Sequence, residues 1–469
     1  MPRTIIHVDL DAFYCAIEEQ RDPALYGKPF AVGGQPGERG VVASCSYAAR
    51  QFGVRSAMSM ARARALCPQL LIVPSRHSAY RAASSQVMDR LRSVTPVVEQ
   101  LSIDEAFLDV TALTSPHDIS SDDISLGDTS AIQQSRCGQH LHAARVLAEQ
   151  IQQDIRHELG LSCSLGVAGN KMVAKIATDY GKAAVKTGQS PGAICVVPPG
   201  EEAAFLARLP VSALWGVGPK TEAQLARLGM STIGQVAQRS PRDLIQRFGS
   251  HGYDLWLHAC GIDKREIVTT RESKSISSET TFVRDVEEWD ELHQALHEQA
   301  VEVAGHLQRQ QLQATTVKIK LRWSDFTTPT RQTTLPYPTD QQDAIEEAAI
   351  QLLRHLWQSQ QPVRLLGVGV SGLSPVRQLS LWHDGGDAGK STSAYDSATG
   401  PPPQESEKSE TAVEHESCAA ECAGNSQFVA VKQQRIQDAM HILQERYGKP
   451  VVRLGAVGIG TAKSTETQV

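Results

Sequence analysis

Along the first 200 residues, short apolar runs with strand character alternate with stretches of helical spacing. Residues 4–8 (TIIHV) form a β-rich run, and residues 11–21 follow with a helical pattern. Residues 40–44 (GVVAS) predict another strand and 47–52 another helix. Two apolar clusters in 101–111 flank Ile103, Asp104 and Glu105. In 141–159, Val146, Leu147, Ile151, Ile155 and Leu159 share one helical face. A strand over 162–167 and a helix over 170–180 close this region, so an α/β or α+β domain is expected.

From 201 to 265 the pattern is helical, broken by Gly216, Gly218, Gly229, Gly234, Gly249, Gly252 and Gly261. Strands return at 275–282, 315–323, 328–335 and 363–372, separated by helical runs at 289–310 and 340–358. That β-α-β-β-α-β order predicts a small split βαβ domain. Residues 384–427, rich in Ser, Gly, Pro and Glu, cannot bury enough surface to offset their ordering entropy and are expected to be disordered. Residues 114–135 resemble a smaller polar insertion, and 432–447 predict a last helix.

The length of 469 residues exceeds one ordinary core and predicts two to four domains. Taken alone, the net charge of −6 argues against a nucleic-acid partner. Much of that acidity, however, sits in 384–427 and 114–135, and the remainder is mildly basic. No run approaches the ~18 apolar residues of a membrane span, and no secretory leader is expected. Nine scattered cysteines form no C-x-x-C pair, which favours a reducing cytoplasm over a disulfide framework.

Candidate chemistry lies where carboxylates interrupt apolar strands. Asp9 and Asp11, in HVDLDAFY, fall on one strand face if the strand reaches that far. Asp104 and Glu105 lie in LSIDEAFLDV. Carboxylates in such sequence are costly to bury unless paired or bound to cations, and oxygen ligands select Mg²⁺ or Mn²⁺. The alternative is strand-end caps. Tyr14 follows closely, either to contact a nucleotide sugar or to pack in the core. Ser44, Tyr47 and Arg50, at a helix start, suit a triphosphate or simply a solvated helix. Lys182 would add a point charge there, or is a surface lysine.

Gly216 and Gly218 precede PKTEAQLARLG, a turn plus helix suited to presenting backbone N–H groups to DNA phosphates. Lys318, Lys320 and Arg322 alternate with Val317, Ile319 and Leu321, so one strand face is basic and the other apolar. A basic face fits a nucleic-acid backbone, or is ordinary solvated surface. Gln378, Leu379, Leu381 and Trp382, in QLSLW, read as a docking peptide or as a strand end.

Together, IIHVDLDAFYCAIEE, GVVASCSYAARQFGVRSAM, LSIDEAFLDVT, LGVAGNKMVAKIATDYGK, LWGVGPKTEAQLARLG, KSISSETTF and RLLGVGVSGL resemble the Y-family translesion DNA polymerases of the bacterial polymerase IV group. The match runs in family order over roughly 1–374. The resemblance implies an α+β multidomain right hand with a ferredoxin-like palm (1–20 and 78–196), small fingers (21–77), a helix-hairpin-helix thumb (197–265) and a split βαβ little finger (270–374). A clamp-binding peptide (375–383), a disordered acidic linker (384–427) and a C-terminal helix and tail (428–469) would follow.

The resemblance further implies low-fidelity, template-directed addition of dNTPs to a primer without proofreading. Asp9, Asp104, Glu105 and the Leu10 carbonyl would hold two Mg²⁺, with Mn²⁺ as a substitute and Glu105 as catalytic carboxylate. Asp11 is not a family metal ligand, which weakens the shared-face reading there. Tyr14 falls on the steric-gate position; Tyr47, Arg50 and Lys182 fall on triphosphate-binding positions, with Ser44 nearby. Expected partners are primer-template DNA, dNTPs and the bacterial sliding clamp, with the protein a cytoplasmic monomer. Relatives commonly carry Lys-Pro where Lys182 here precedes Ala183. A deoxycytidyl transferase of the same family and a catalytically silent DNA-binding scaffold are the alternatives; the intact carboxylates argue against the second.

Overall fold

Ile5, Ile6, Val8 and Leu10 are apolar on both sides of one short run, a pattern suited to a strand covered on both faces. The computed structural model describes residues 3–114, 129–185, 190–357 and 361–376. In it that run is β1 (Ile5–Leu10), the middle strand of a five-stranded sheet. Helix α1 (Phe13–Arg21) follows. A small sheet then takes β2 (Phe30–Gly33), β3 (Val42–Cys45) and β4 (Leu71–Val73) in the order β3-β2-β4, with short helices α2 (Tyr47–Gln51) and α3 (Met60–Leu66). Ala31, Val42, Ala49, Val54 and Met60 form its core.

The chain returns to the large sheet through α4 (His77–Val94), β5 (Val98–Gln100), β6 (Glu105–Asp109) and α5 (Thr111–Thr114). Next come α6 (Thr129–Leu159), β7 (Cys163–Ala168), α7 (Lys171–Ala184) and β8 (Ile194–Val196), giving the order β5-β6-β1-β7-β8. One sheet face buries Ile6, Val8, Leu108 and Leu165 in a core shared with α1, α4 and α6. The other face carries Ile5 and Phe107 against α7 and the helical region beyond.

That region comprises α8 (Glu202–Ala207), α9 (Pro219–Arg227), α10 (Ile233–Ala237), α11 (Pro241–Phe248) and α12 (Ser250–Ala259). It has no sheet of its own among the described residues and shares its core with α7. The last unit is β9 (Ser275–Val286), α13 (Trp289–Arg309), β10 (Leu312–Trp323), β11 (Thr330–Thr339), α14 (Gln342–Leu356) and β12 (Val363–Pro375). Its antiparallel order β11-β10-β12-β9 matches the expected split βαβ pattern.

Three readings need correction. Val146 is exposed on α6; the buried stripe is Ala144, Ala148, Ile151 and Ile155, one helical step away. Residues 129–135 of the expected insertion are helical, because Ala, Gln and Arg in 129–140 favour a helix and continue into that stripe. Lys182 lies within the last turn of α7, not after it. Residues 115–128, 384–427 and 432–447 lie outside the described residues.

Candidate active site

The two carboxylate clusters meet across the β1–β6 ladder. Its antiparallel register sets Asp9 opposite Glu105, and the Leu10 amide donates to the Asp104 carbonyl at 3.0 Å. β1 stops at Leu10, and Ala12, at φ 47°, turns the chain into α1. Burial lifts the Asp9 carboxyl to about 7; the Lys182 ammonium pulls against that, and the charges of Glu105 and Asp104 add to it. Asp9 Oδ1 pairs with Lys182 Nζ at 2.6 Å, and Glu105 Oε1 with Lys175 Nζ at 2.6 Å. Asp104 Oδ1 accepts from the Ser102 hydroxyl at 2.6 Å.

Among the described residues, no three His, Cys, Asp or Glu side chains are already gathered around one ion position. The donor set nonetheless fits a hard divalent cation. It consists of acceptor-only oxygens, and a dication would offset both the burial that chiefly raises Asp9 and the smaller repulsion from Glu105 and Asp104. The two lysines supply that compensation in the structure at hand.

A cleft of about 320 Å³ opens on this cluster, lined by Asp9, Asp104, Tyr14, Tyr47, Arg50 and Lys182. Tyr14 is half-buried; its ring stacks on Tyr80 at 4.2 Å and 13°. Tyr14 thus packs on the core and also lines the cleft. Tyr80 is held in turn by donating to Glu18 Oε1 at 2.6 Å, and Glu18 also pairs with Arg76.

On α2, Ser46 caps the helix by accepting from the Ala49 amide, and Arg50 lies 4.7 Å from the Tyr47 ring centre. Arg50 also donates to the Cys45 carbonyl at 3.3 Å. Burial lifts the Tyr47 hydroxyl above its ordinary range, and the Asp11 charge adds to that. Ser44 is buried at the cleft wall, 3.5 Å from the Cys15 thiol. Lys182 turns inward to Asp9 and Asp11.

Other expected residues stand apart from the cleft. Gly216 takes φ +96°, a turn conformation that a side chain would strain, and Gly218 is the N-cap of α9. On β10, Val317, Ile319 and Leu321 are fully buried while Lys318 is exposed, as the alternation predicts. Lys320 is already paired with Glu279 at 2.8 Å, and Arg322 donates to Thr328. Beside this basic row, Gly367 and Gly369 of β12 form a side-chain-free strip, where added Cβ atoms would meet Glu279 and Ser277 at 2.8 and 3.0 Å. Gln378, Leu379, Leu381 and Trp382 lie outside the described residues.

Residues 8–179 match the impB/mucB/samB family, residues 273–381 its C-terminal domain and residues 199–230 the HHH motif of the same family. The chain is 39% identical over 374 residues to a DNA polymerase IV of Listeria welshimeri, covering 96% of that protein and 80% of itself. It is 38% identical to a DNA polymerase IV of Gluconobacter oxydans, covering 99% of it, and 40% identical to one of Halorhodospira halophila, covering 97%.

The chain belongs to the Y-family DNA polymerases, in the polymerase IV group.

A solved Y-family polymerase chimera, Dbh-Dpo4(243-245)-Dbh, shares the fold with a TM-score of 0.67 at 23% identity; the match covers 80% of this chain and all of that one. In family terms, the five-stranded sheet is the palm, the three-stranded sheet the fingers, α8–α12 the thumb and the last unit the little finger. As a Y-family member the chain is a DNA-directed DNA polymerase of the translesion class, with primer-template DNA and dNTPs as substrates and a dependence on divalent metal. Among the described residues, no helix is long and apolar enough to cross a membrane.

Sequence reasoning did not find Lys175, Tyr80 or Glu18, nor the burial of Asp11. Lys175 and Lys182 do sit seven residues apart on α7, a helical spacing that places both toward one side, but their carboxylate partners come from other strands.

Proposed function

We propose that Asp9, Asp104, Glu105 and the Leu10 carbonyl hold two Mg²⁺ ions, with Mn²⁺ as a substitute, at the floor of the dNTP cleft. The reaction is attack of the primer 3′-oxygen on the dNTP α-phosphorus with pyrophosphate leaving. When bound, the ions activate that oxygen and neutralise the charge that develops on the phosphates. The protein's own part is positioning. Tyr47, Arg50 and Lys182 receive the triphosphate, with Ser44 beside them. Tyr14 closes the space a ribose 2′-hydroxyl would need. Glu105 is the catalytic carboxylate.

The hairpin around Gly216 and Gly218, and the row Lys318, Lys320 and Arg322, grip the DNA backbone without reading its sequence. Gln378, Leu379, Leu381 and Trp382 dock a sliding clamp. The polymerase works as a monomer in the cytoplasm. Domain limits are 1–20 and 78–196 for the palm, 21–77 for the fingers, 197–265 for the thumb and 270–374 for the little finger.

One observation carries this reading: Asp9 faces Glu105, with Asp104 tied to Leu10, beneath a cleft that also holds Tyr47, Arg50 and Lys182. Primer extension tests it. With four dNTPs and Mg²⁺ the chain should extend a recessed primer, and EDTA should stop it. Extension unaffected by EDTA, or none at all, contradicts the reading.

A further inference from the structure

Asp11 is a fully enclosed carboxylate at the end of β1, and neither the metal set nor the triphosphate set uses it. Its side chain is fully shielded from solvent. A charge so placed persists only when surrounding donors compensate it. Here the two oxygens have different partners. Oδ2 accepts from the Ser162 hydroxyl at 2.8 Å, the Gly192 amide at 3.0 Å and the Ser190 hydroxyl at 3.3 Å. Oδ1 accepts from the Ser164 hydroxyl at 2.9 Å and lies 3.4 Å from Lys182 Nζ. One oxygen thus ties the β7–β8 connection to the end of β1, and the other faces the ammonium.

Lys182 is consequently shared between two carboxylates, Asp9 at 2.6 Å and Asp11 at 3.4 Å. They differ in freedom. Asp9 is ladder-paired opposite Glu105 and has no other side-chain partner among the described residues than Lys182. Asp11 is locked by the Ser162 and Ser164 hydroxyls and the Gly192 amide, while the single Ser190 proton is shared between Asp11 Oδ2 and, at 2.8 Å, Ser162 Oγ. A cation claimed by Asp9 competes directly with Lys182 for the same oxygens. Asp11 cannot follow, because moving it would break the serine and glycine contacts.

We propose that Asp11 is a positioning residue: when Asp9 turns to metal, Asp11 Oδ1 retains the Lys182 ammonium over the triphosphate pocket. The proposal rests on the reading of Lys182 as a triphosphate ligand. The Asp11 charge also acts on Tyr47, which with Lys182 lines the cleft.

Asp11→Asn separates the two tasks. Its oxygen replaces Oδ2 toward Ser162 and Gly192, and its amide nitrogen takes the place of Oδ1, so the Ser164 hydroxyl must turn to accept and the attraction for Lys182 is removed. The measurement is equilibrium dNTP binding to the full chain on a dideoxy-terminated primer-template, in Mg²⁺ and in EDTA, with thermal melting alongside. Lys182→Met should weaken binding roughly tenfold in both buffers, the scale of one charge-assisted contact. Asp11→Asn should weaken it roughly tenfold in Mg²⁺ but less than about twofold in EDTA, where Asp9 still holds the lysine. In Mg²⁺ the double variant should bind no more weakly than Lys182→Met alone.

Equal loss from Asp11→Asn in both buffers, or full additivity in the double variant, overturns the proposal and leaves Asp11 a scaffold. If Lys182→Met binds normally, the triphosphate reading of Lys182 fails first and the proposal with it. Should Asp11→Asn lose its melting transition, Ser162→Ala combined with Ser190→Ala decides. Loosening Oδ2 should weaken dNTP binding in Mg²⁺ only, and unchanged binding contradicts the proposal.

Discussion

Tyr14 shows how a single side chain serves core and cleft together. Its stacking on Tyr80 fixes the ring plane, and Tyr80 is fixed by Glu18 and Arg76. A ring held that firmly excludes a substituent at its edge. Tyr14→Ala should therefore raise ribonucleotide incorporation relative to deoxyribonucleotide by roughly tenfold or more, the scale on which a shaped pocket discriminates one small substituent. The check is the ratio of rNTP to dNTP incorporation; an unchanged ratio would make Tyr14 core alone. Asp9, Asp104 and Glu105 were legible because carboxylates inside apolar strands carry a cost that demands a partner. The inward turn of Lys182 and the pairing of Lys175 were not legible. Each depends on where α7 crosses β1 and β6, and no local pattern encodes that crossing.

At the scale of elements, β10 does what its alternation implies, yet its three cations are not equivalent. Lys318 is exposed, while Lys320 already has Glu279. Each phosphate contact adds a slope of about −0.9 in log K against log salt. Replacing Lys318, Lys320 and Arg322 with neutral residues should flatten that slope and weaken DNA binding, while Glu279→Gln should tighten it by freeing Lys320. Salt titration of DNA affinity distinguishes this from a merely solvated face, which would leave both unchanged.

The connection after α12 is pinned differently. Asp263 accepts from the Met172 amide at the start of α7 and from Arg265, whose guanidinium lies over the Trp215 ring. Burial pushes the Asp263 carboxyl up, but the Arg265 hydrogen bonds and charge outweigh it and hold it below 3.8. A depressed carboxyl stabilises the fold above its unfolded value and loses that contribution as pH falls through the folded value. Asp263→Asn should thus cost about 1–3 kcal/mol near neutral pH, with the gap closing below pH 3.8. Melting curves against pH read both. The long elements other than α4 were legible in the sequence. β2, β4, β5 and β8, of three or four residues, were not, because so short a run carries no period. Helix α4 was hidden by its Ala, Ser and Arg content, where apolar contrast is low.

At the scale of the whole molecule, the acidity is concentrated in residues 114–135 and 384–427, and the overall charge of −6 conceals a mildly basic remainder. The family match ends at 381, inside the QLSLW peptide. Two apolar anchors filling a pocket supply most of the energy of such a contact, and tethering raises the local concentration at the primer end. Leu381→Ala with Trp382→Ala should leave synthesis on a short primer unchanged and remove the stimulation given by a loaded clamp. Full stimulation of the double variant would move the docking site elsewhere. All of this depends on the palm carboxylates that β1 and β6 bring face to face. The most direct measurement is single-turnover dCTP incorporation opposite template dG in Mg²⁺ by Asp104→Ala and Glu105→Ala, with DNA affinity measured on the same samples. The carboxylates predict a loss of roughly a thousandfold or more in rate with DNA affinity within about twofold of the parent. A parental rate in either variant would contradict the assignment of the metal site.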